Sequence, residues 1–342
     1  MGELKKIERN ATGERTSVRF APKSVAGRAR NARSLRQQTV KTAIHCSGIG
    51  LHSGAKVAMT LRPADCNTGI VFRRKDLPGH PEIAATSANA VETPLCTTLR
   101  NDVMQISTIE HMMAALAGMG IDNAIVELDG PEVPIMDGSA SPFVFLIECA
   151  GVCEQTEARR AIRILKPVTV SDERRSGTLS PSAHGFCVSF DIDFESAAIA
   201  RQSWSGALSS AGFKRDIARA RTFGFLHEVD SLREAGLARG GSLDNAVVIS
   251  GDGILNEGGL RFEDEFVRHK VLDSIGDLYL AGAPIIGHFE GHRAGHSMNL
   301  RLLAALFSQP DAWCWSEMTA ADDIQDESAG AALPARAVAG WA

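Results

Sequence analysis

The sequence predicts an α+β fold built from a repeated unit, and three observations carry that expectation. Strand-like runs and helix-like runs both occur in each half of the chain. Two segments, 108–119 and 266–280, place apolar residues at three- and four-residue steps. These two segments also echo each other. His111 is followed seven residues on by Gly118 and then by the run 124–128, while His269 is followed seven residues on by Gly276 and then by the run 284–289. A length of 342 residues is enough for about two domains with cores of their own.

The elements follow in order. Residues 42–45, 57–61 and 69–73 read as strands, the first two joined through the Gly-rich turn Gly48-Ile49-Gly50-Leu51-His52-Ser53-Gly54. The helix 108–119 uses Ile109, Met112, Met113, Leu116 and Met119 as its apolar stripe and is closed by Gly120. A strand at 124–128 follows, and the apolar run 142–151 reads as a second helix. The charged stretch 154–160 is the expected linker, which places one domain at 42–157 and another at 158–316. Strands are expected beyond it at 162–165, 168–170 and 186–194, with a mixed region at 213–235. A strong helix at 266–280 and a strand at 284–289 close the second half. Residues 1–41 read as a basic flexible extension and 317–342 as a disordered tail.

Charge and cysteine usage exclude several classes. The net charge of −5 averages two unlike parts: residues 1–41 hold eleven Lys/Arg against three Glu, a local +8, leaving −13 for the rest. Such an acidic body is a poor nucleic-acid binder. Deleting the basic arm would tell an independent nucleic-acid-binding segment from an inert one. Seven cysteines without a C-x-x-C pair point to a reducing cytoplasm rather than a disulfide framework. No run approaches the length of a membrane span. The N-terminus lacks the apolar core of a secretory signal, and Glu3, Glu8 and Glu14 count against a transit peptide. P-loop, G-x-G-x-x-G and G-x-S-x-G patterns are absent, which disfavours nucleotide-driven phosphoryl transfer, a Rossmann cofactor and serine hydrolase chemistry.

The most informative run is Arg268-His269-Lys270-Val271-Leu272-Asp273-Ser274-Ile275-Gly276-Asp277. On a helix, His269, Asp273 and Asp277 share one face. His269 and Asp273, one turn apart, can grip one metal ion. Asp277 lies about 12 Å from His269 by helical rise, too far to join them but able to orient another side chain. The same spacing also describes a solvated helix face with a salt bridge. A hydrolytic metal usually needs a third protein ligand, and Glu110-His111 offers one, His111 ligating while Glu110 takes a proton. That dipeptide alone is weak evidence. His292 and His296, in a Gly-flanked turn, suit a catalytic acid or an ordinary surface loop. Thr222, in Arg221-Thr222-Phe223-Gly224-Phe225, suits either an oxyanion donor or a core strand. Lys270 suits either a substrate contact or a solvated cation.

Taken together, these segments resemble the zinc-dependent UDP-3-O-acyl-N-acetylglucosamine deacetylases of lipid A synthesis. The resemblance runs from about Thr42 to Trp313 and rests on five ordered motifs: the 48–54 turn, Ser107-Thr108-Ile109-Glu110-His111, Pro134-Ile135-Met136-Asp137-Gly138-Ser139, 219–225, and Leu260 through Lys270. It implies two similar two-layer sheet-and-helix domains packed around one Zn2+ site. It further implies His111, His269 and Asp273 as zinc ligands and Glu110 as general base. His296 would be the cationic partner of the oxyanion and leaving amine, oriented by Asp277. Thr222 would be an oxyanion donor and Lys270 a lysine of the same pocket. Phe194, Phe223, Arg293 and Leu51 fall at substrate-contact positions, Phe194 against the uracil and Arg293 near the diphosphate, while Arg175 stands where the family often has a lysine. An insertion at about 224–245, with Leu232, Leu237 and Leu243, would line the acyl passage. The expectation is a cytoplasmic, monomeric zinc amidase acting on UDP-3-O-acyl-N-acetylglucosamine, without nucleic-acid partners or membrane insertion. The alternative is a non-catalytic sensor of UDP-sugar or acyl ligand with the same fold.

Overall fold

The computed structural model describes residues 34–93 and 95–322. Among the described residues six α-helices occur: α1 Glu110–Met119, α2 Ser141–Ala150, α3 Ser210–Gly212, α4 Leu226–Glu234, α5 Glu265–Leu278 and α6 His296–Phe307. A π-helical turn, Phe213–Ile217, continues α3, and a 3-10 turn, Tyr279–Ala281, continues α5. One continuous apolar core runs from Val40 and Val57 through Leu116 and Leu272 to Leu306.

The echo in the sequence corresponds to a repeated sheet. In the first half the strand order is Ile44–Ile49, Lys56–Pro63, Ala124–Leu128, Ile70–Arg74, Glu82–Ala84. In the second half Val168–Ser171, Ser176–Ser180, Ile285–His292, Phe186–Asp193 and Arg201–Ala207 pair in the same order. In both, one neighbouring pair is parallel and the others are antiparallel. The parallel pair joins the strand after the long helix, 124–128 or 285–292, to the strand 70–74 or 186–193. A parallel pair cannot be joined by a tight turn and needs a crossover. In each half that crossover contains the helix that bears the proposed ligands, α1 or α5. The second sheet is extended by Arg160–Ile164 and Trp313–Glu317.

Most expected elements appear with ends shifted by one to three residues, but the termini and the linker differ. The composition predicts a flexible basic extension to residue 41, yet Arg36–Val40 forms a strand on Val152–Ala158, with Gln37, Thr39 and Val40 buried. That same pairing takes up most of the expected linker 154–160. Both strands are polar in sequence, and what orders them is their mutual ladder and a buried amide network of Gln37, Asn123 and Gln155. Trp313–Glu317 and the turn Ala320–Asp322 likewise carry ordered chain past residue 317, where the tail was expected to start. Residues 1–33 and 323–342 of the expected extension and tail lie outside the described residues. Glu290–Ser297, read as a turn, divides into the end of a strand and the start of α6, with His296 as its first residue.

Candidate metal and acid–base site

The site forms where α1 crosses α5. A Cβ at Gly276 would lie 2.1 Å from the Glu110 carbonyl oxygen, so glycine is what lets the two helices approach this closely. The approach faces His111 of α1 toward His269 and Asp273 of α5. One ligand atom from each lies within 4.8 Å of the others, and all three residues are buried. Asp273 Oδ1 sits 3.3 Å from His269 Nε2 and 3.6 Å from His111 Nε2, and has no hydrogen-bond partner. His111 Nδ1 is also buried and unpartnered. Two orphaned polar groups in a buried N,N,O cluster are costly unless something else satisfies them, and the donor set fits a divalent ion.

The protonation states suit that role. Burial pushes His269 down to about 3, so it is neutral, and its Nδ1–H donates to the Ala220 carbonyl (3.1 Å), leaving Nε2 as the free donor atom. Burial raises the Asp273 carboxyl, but its neighbours His269 and Lys270 outweigh this and hold it well below the usual carboxylate range. Lys270 Nζ donates to Asp273 Oδ2 (2.9 Å).

Glu110 and His296 flank this cluster. Burial pushes the Glu110 carboxyl up to about 7, with the His296 cation partly opposing the rise. Burial depresses the His296 imidazole, but the Asp277 carboxylate overcomes this and holds it up to about 10. His296 Nδ1–H donates to Asp277 Oδ2 (2.8 Å), which turns Nε2 to within 4.0 Å of both Glu110 Oε1 and Asp273 Oδ2. Asp277, one turn beyond Asp273 on α5, is thus hydrogen-bonded to His296. Two nearby titrating groups with pKa values pushed apart are the usual arrangement of a base and an acid.

The five motifs are wired together around this centre. Glu132 accepts from the His52 and Ser53 amides (2.8 Å each), the Ser53 hydroxyl (2.6 Å) and the Thr108 hydroxyl (2.9 Å). It thereby ties the Gly-rich turn to Thr108, whose φ of +58° carries strain of about 1–3 kcal/mol. Arg221 makes a buried pair with Glu265 (2.8 Å), and Arg261 reaches Asp137 (2.9 Å). These bonds hold the 219–225 run and the 134–139 loop at the start of α5. Thr222 lies between Ala220, whose carbonyl holds His269, and Phe223, whose ring centroid is 6.2 Å from that of His269.

A cavity of about 1160 Å³ opens beside this centre, and Phe194, Lys270, Arg293 and Arg175 all line it. Phe223 packs edge-on against Phe194, with ring centroids 5.8 Å apart. Leu51 lies elsewhere, its carbonyl accepting from Gly240 (2.9 Å) and its side chain against Gly241, so it touches the insert rather than this cavity. The insert contains α4, which buries no residue; Leu232 and Leu237 are half-buried and Leu243 is exposed.

Residues 37–308 match the family model "LpxC: UDP-3-O-acyl N-acetylglycosamine deacetylase". The chain belongs to this family. Among relatives of the deacetylase, the UDP-3-O-acyl-N-acetylglucosamine deacetylase of Acidithiobacillus ferrooxidans is 54% identical over 281 residues, covering 82% of this chain and 92% of that protein. Those of Pseudomonas entomophila and Saccharophagus degradans are 52% and 51% identical over the same shares. Two deacetylase residues at the site have no counterpart in the sequence reading. Thr97 touches Glu110, Asp277 and His296, and Asn299 donates to Asp277 Oδ2 (2.9 Å). The available signal was polar residues within apolar runs, which by itself does not separate a site from a satisfied core.

Proposed function

We propose that this chain hydrolyses the acetamide of UDP-3-O-acyl-N-acetylglucosamine to the free amine and acetate, using a zinc ion held by His111, His269 and Asp273. The observation that carries the reading is the juxtaposition of this buried, under-satisfied N,N,O cluster with Glu110 on one side and the His296–Asp277 pair on the other. A divalent ion bound there supplies Lewis acidity, activating water and polarising the acetamide carbonyl.

Glu110 accepts the proton of the attacking water, and its position near neutrality suits a group that must take up and release a proton. The Thr222 hydroxyl donates to the oxyanion that develops on the substrate carbonyl. An amide nitrogen leaves poorly unless protonated, and His296, cationic and aimed by Asp277, delivers that proton from Nε2. Lys270 adds positive charge at the mouth of the site, with Nζ 5.7 Å from the Phe223 ring centroid. Phe194 packs on the uracil with Phe223 edge-on beside it, and Arg293, with Arg175 beyond it, faces the diphosphate. Leu51 and the insert flank the acyl chain. We further assign domains divided at 157/158, the first including Arg36–Val40 through its ladder on Val152–Ala158 and the second running through Trp313–Glu317, together with a monomeric state and a cytoplasmic location. Among the described residues no helix is long and apolar enough to cross a membrane. The test is acetate release from UDP-3-O-acyl-N-acetylglucosamine by the metal-loaded protein. Release that depends on Glu110 is expected, and no release above background would contradict the reading.

A further inference from the structure

We propose that Thr97 is a positioning residue that locks the base and the acid of this site into one frame. Thr97 belongs to the strand Cys96–Arg100, and its side chain is fully buried beneath α1 and α5. Its backbone amide donates to Glu110 Oε2 (3.0 Å). Its hydroxyl donates to Asp277 Oδ1 (2.5 Å) and lies 3.1 Å from His296 Nδ1. One residue therefore holds the carboxylate of the base through its main chain and the carboxylate behind the acid through its side chain.

The accounting at Asp277 shows why the hydroxyl matters. Oδ2 accepts from His296 Nδ1 and Asn299 Nδ2, and Oδ1 accepts from Thr97. Without the hydroxyl, Oδ1 is a buried carboxylate oxygen with no donor, and the carboxylate is free to rotate about its Cβ–Cγ bond. His296 Nε2 then loses its fixed aim toward Glu110. The main-chain bond to Glu110 survives any side-chain replacement, so substitution separates the two functions. This inference rests on the proposed roles of Glu110 and His296, but the structural part can be read without turnover.

The experiment uses the metal-loaded full chain carrying Thr97→Val or Thr97→Ser, each also combined with His296→Gln. Thr97→Val is expected to lower kcat by about 10- to 100-fold, the usual range for residues that orient reacting groups, with KM and metal content unchanged. Thr97→Ser restores most of the rate. In the His296→Gln background Thr97→Val has little further effect, because the group it aims is gone. In the wild-type protein the His296 Nδ1 proton is expected as a downfield NMR resonance that is absent in His296→Gln. It should weaken in Thr97→Val and return in Thr97→Ser. An unchanged resonance in Thr97→Val overturns the proposal, as does a kcat loss of equal size with and without His296. If Thr97→Val does not fold, a Thr97→Ala variant supplies the same comparisons. A wild-type protein without acetate release would instead contradict the function proposed above, and the resonance would still decide the role of Thr97.

Discussion

The centre at the α1–α5 crossing and the cavity beside it differ in how their charges are held. At the crossing His111, His269, Asp273 and Asp277 are 3%, 2%, 4% and 0% exposed, and hydrogen bonds from Ala220, Lys270 and Thr97 fix the last three. In the cavity the Arg175 and Arg293 side chains are 46% and 31% exposed, paired with Asp172 at 2.6 Å and Asp193 at 3.9 Å. Charges sealed from water interact strongly and cannot be replaced by solvent, whereas exposed pairs are screened and contribute little. On the proposed mechanism the chemistry is therefore concentrated in a buried frame, and binding of the anionic ligand falls to cations already paired with carboxylates.

That contrast sets the order of expected effects. His269→Ala removes a donor from the cluster, so bound metal and acetate release should both fall to background, read by metal analysis beside the activity assay. Glu110→Ala and His296→Ala leave the three donors in place. Each should retain metal near the wild-type level while kcat drops by about 10²- to 10⁴-fold. Loss of metal in either would break the division between ligands and acid–base groups.

The pH profile sharpens the comparison further. On the proposed mechanism activity needs Glu110 ionised and His296 protonated, so it should rise as pH passes about 7 and fall as pH passes about 10. Burial depresses His296 and Asp277 raises it. Asp277→Asn should therefore move the alkaline fall to lower pH and leave the acid limb in place; an unmoved alkaline limb would contradict the pairing.

Gly276→Ala probes the crossing without removing a polar side chain. The new Cβ would meet the Glu110 backbone, and separating the helices should cost about 1–3 kcal/mol, seen as a lower Tm. The smallest effect belongs to the open cavity. Arg293→Ala should raise KM by about fivefold with kcat retained, in line with the roughly 1 kcal/mol upper range of exposed ion pairs. A kcat loss as large as that of Glu110→Ala would erase the distinction between the two regions.

The same contrast explains what was legible in the sequence. His269, Asp273 and Asp277 sit on one helix, where spacing alone fixes which side chains share a face. The structure adds that this face is buried against α1 and not solvated, which periodicity cannot say. The repeated sheet surfaced only as a faint echo, because its conserved features are pairing order and direction rather than residue types. Arg36–Val40 and Val152–Ala158 escaped because their order comes from each other, across more than a hundred residues. Thr97 escaped for a related reason: its strand is buried across Cys96–Leu99, so no alternation marks a face, and its partners lie at 110, 277 and 296.

On the proposed function, deacetylation requires one metal ion in the α1–α5 cluster. The direct measurement pairs metal stoichiometry with acetate release from UDP-3-O-acyl-N-acetylglucosamine before chelation, after it, and after zinc is restored. One ion per chain is expected, with loss of both metal and acetate release on chelation and recovery of both with zinc in the wild type but not in His269→Ala. Acetate release that survives complete metal removal would contradict it.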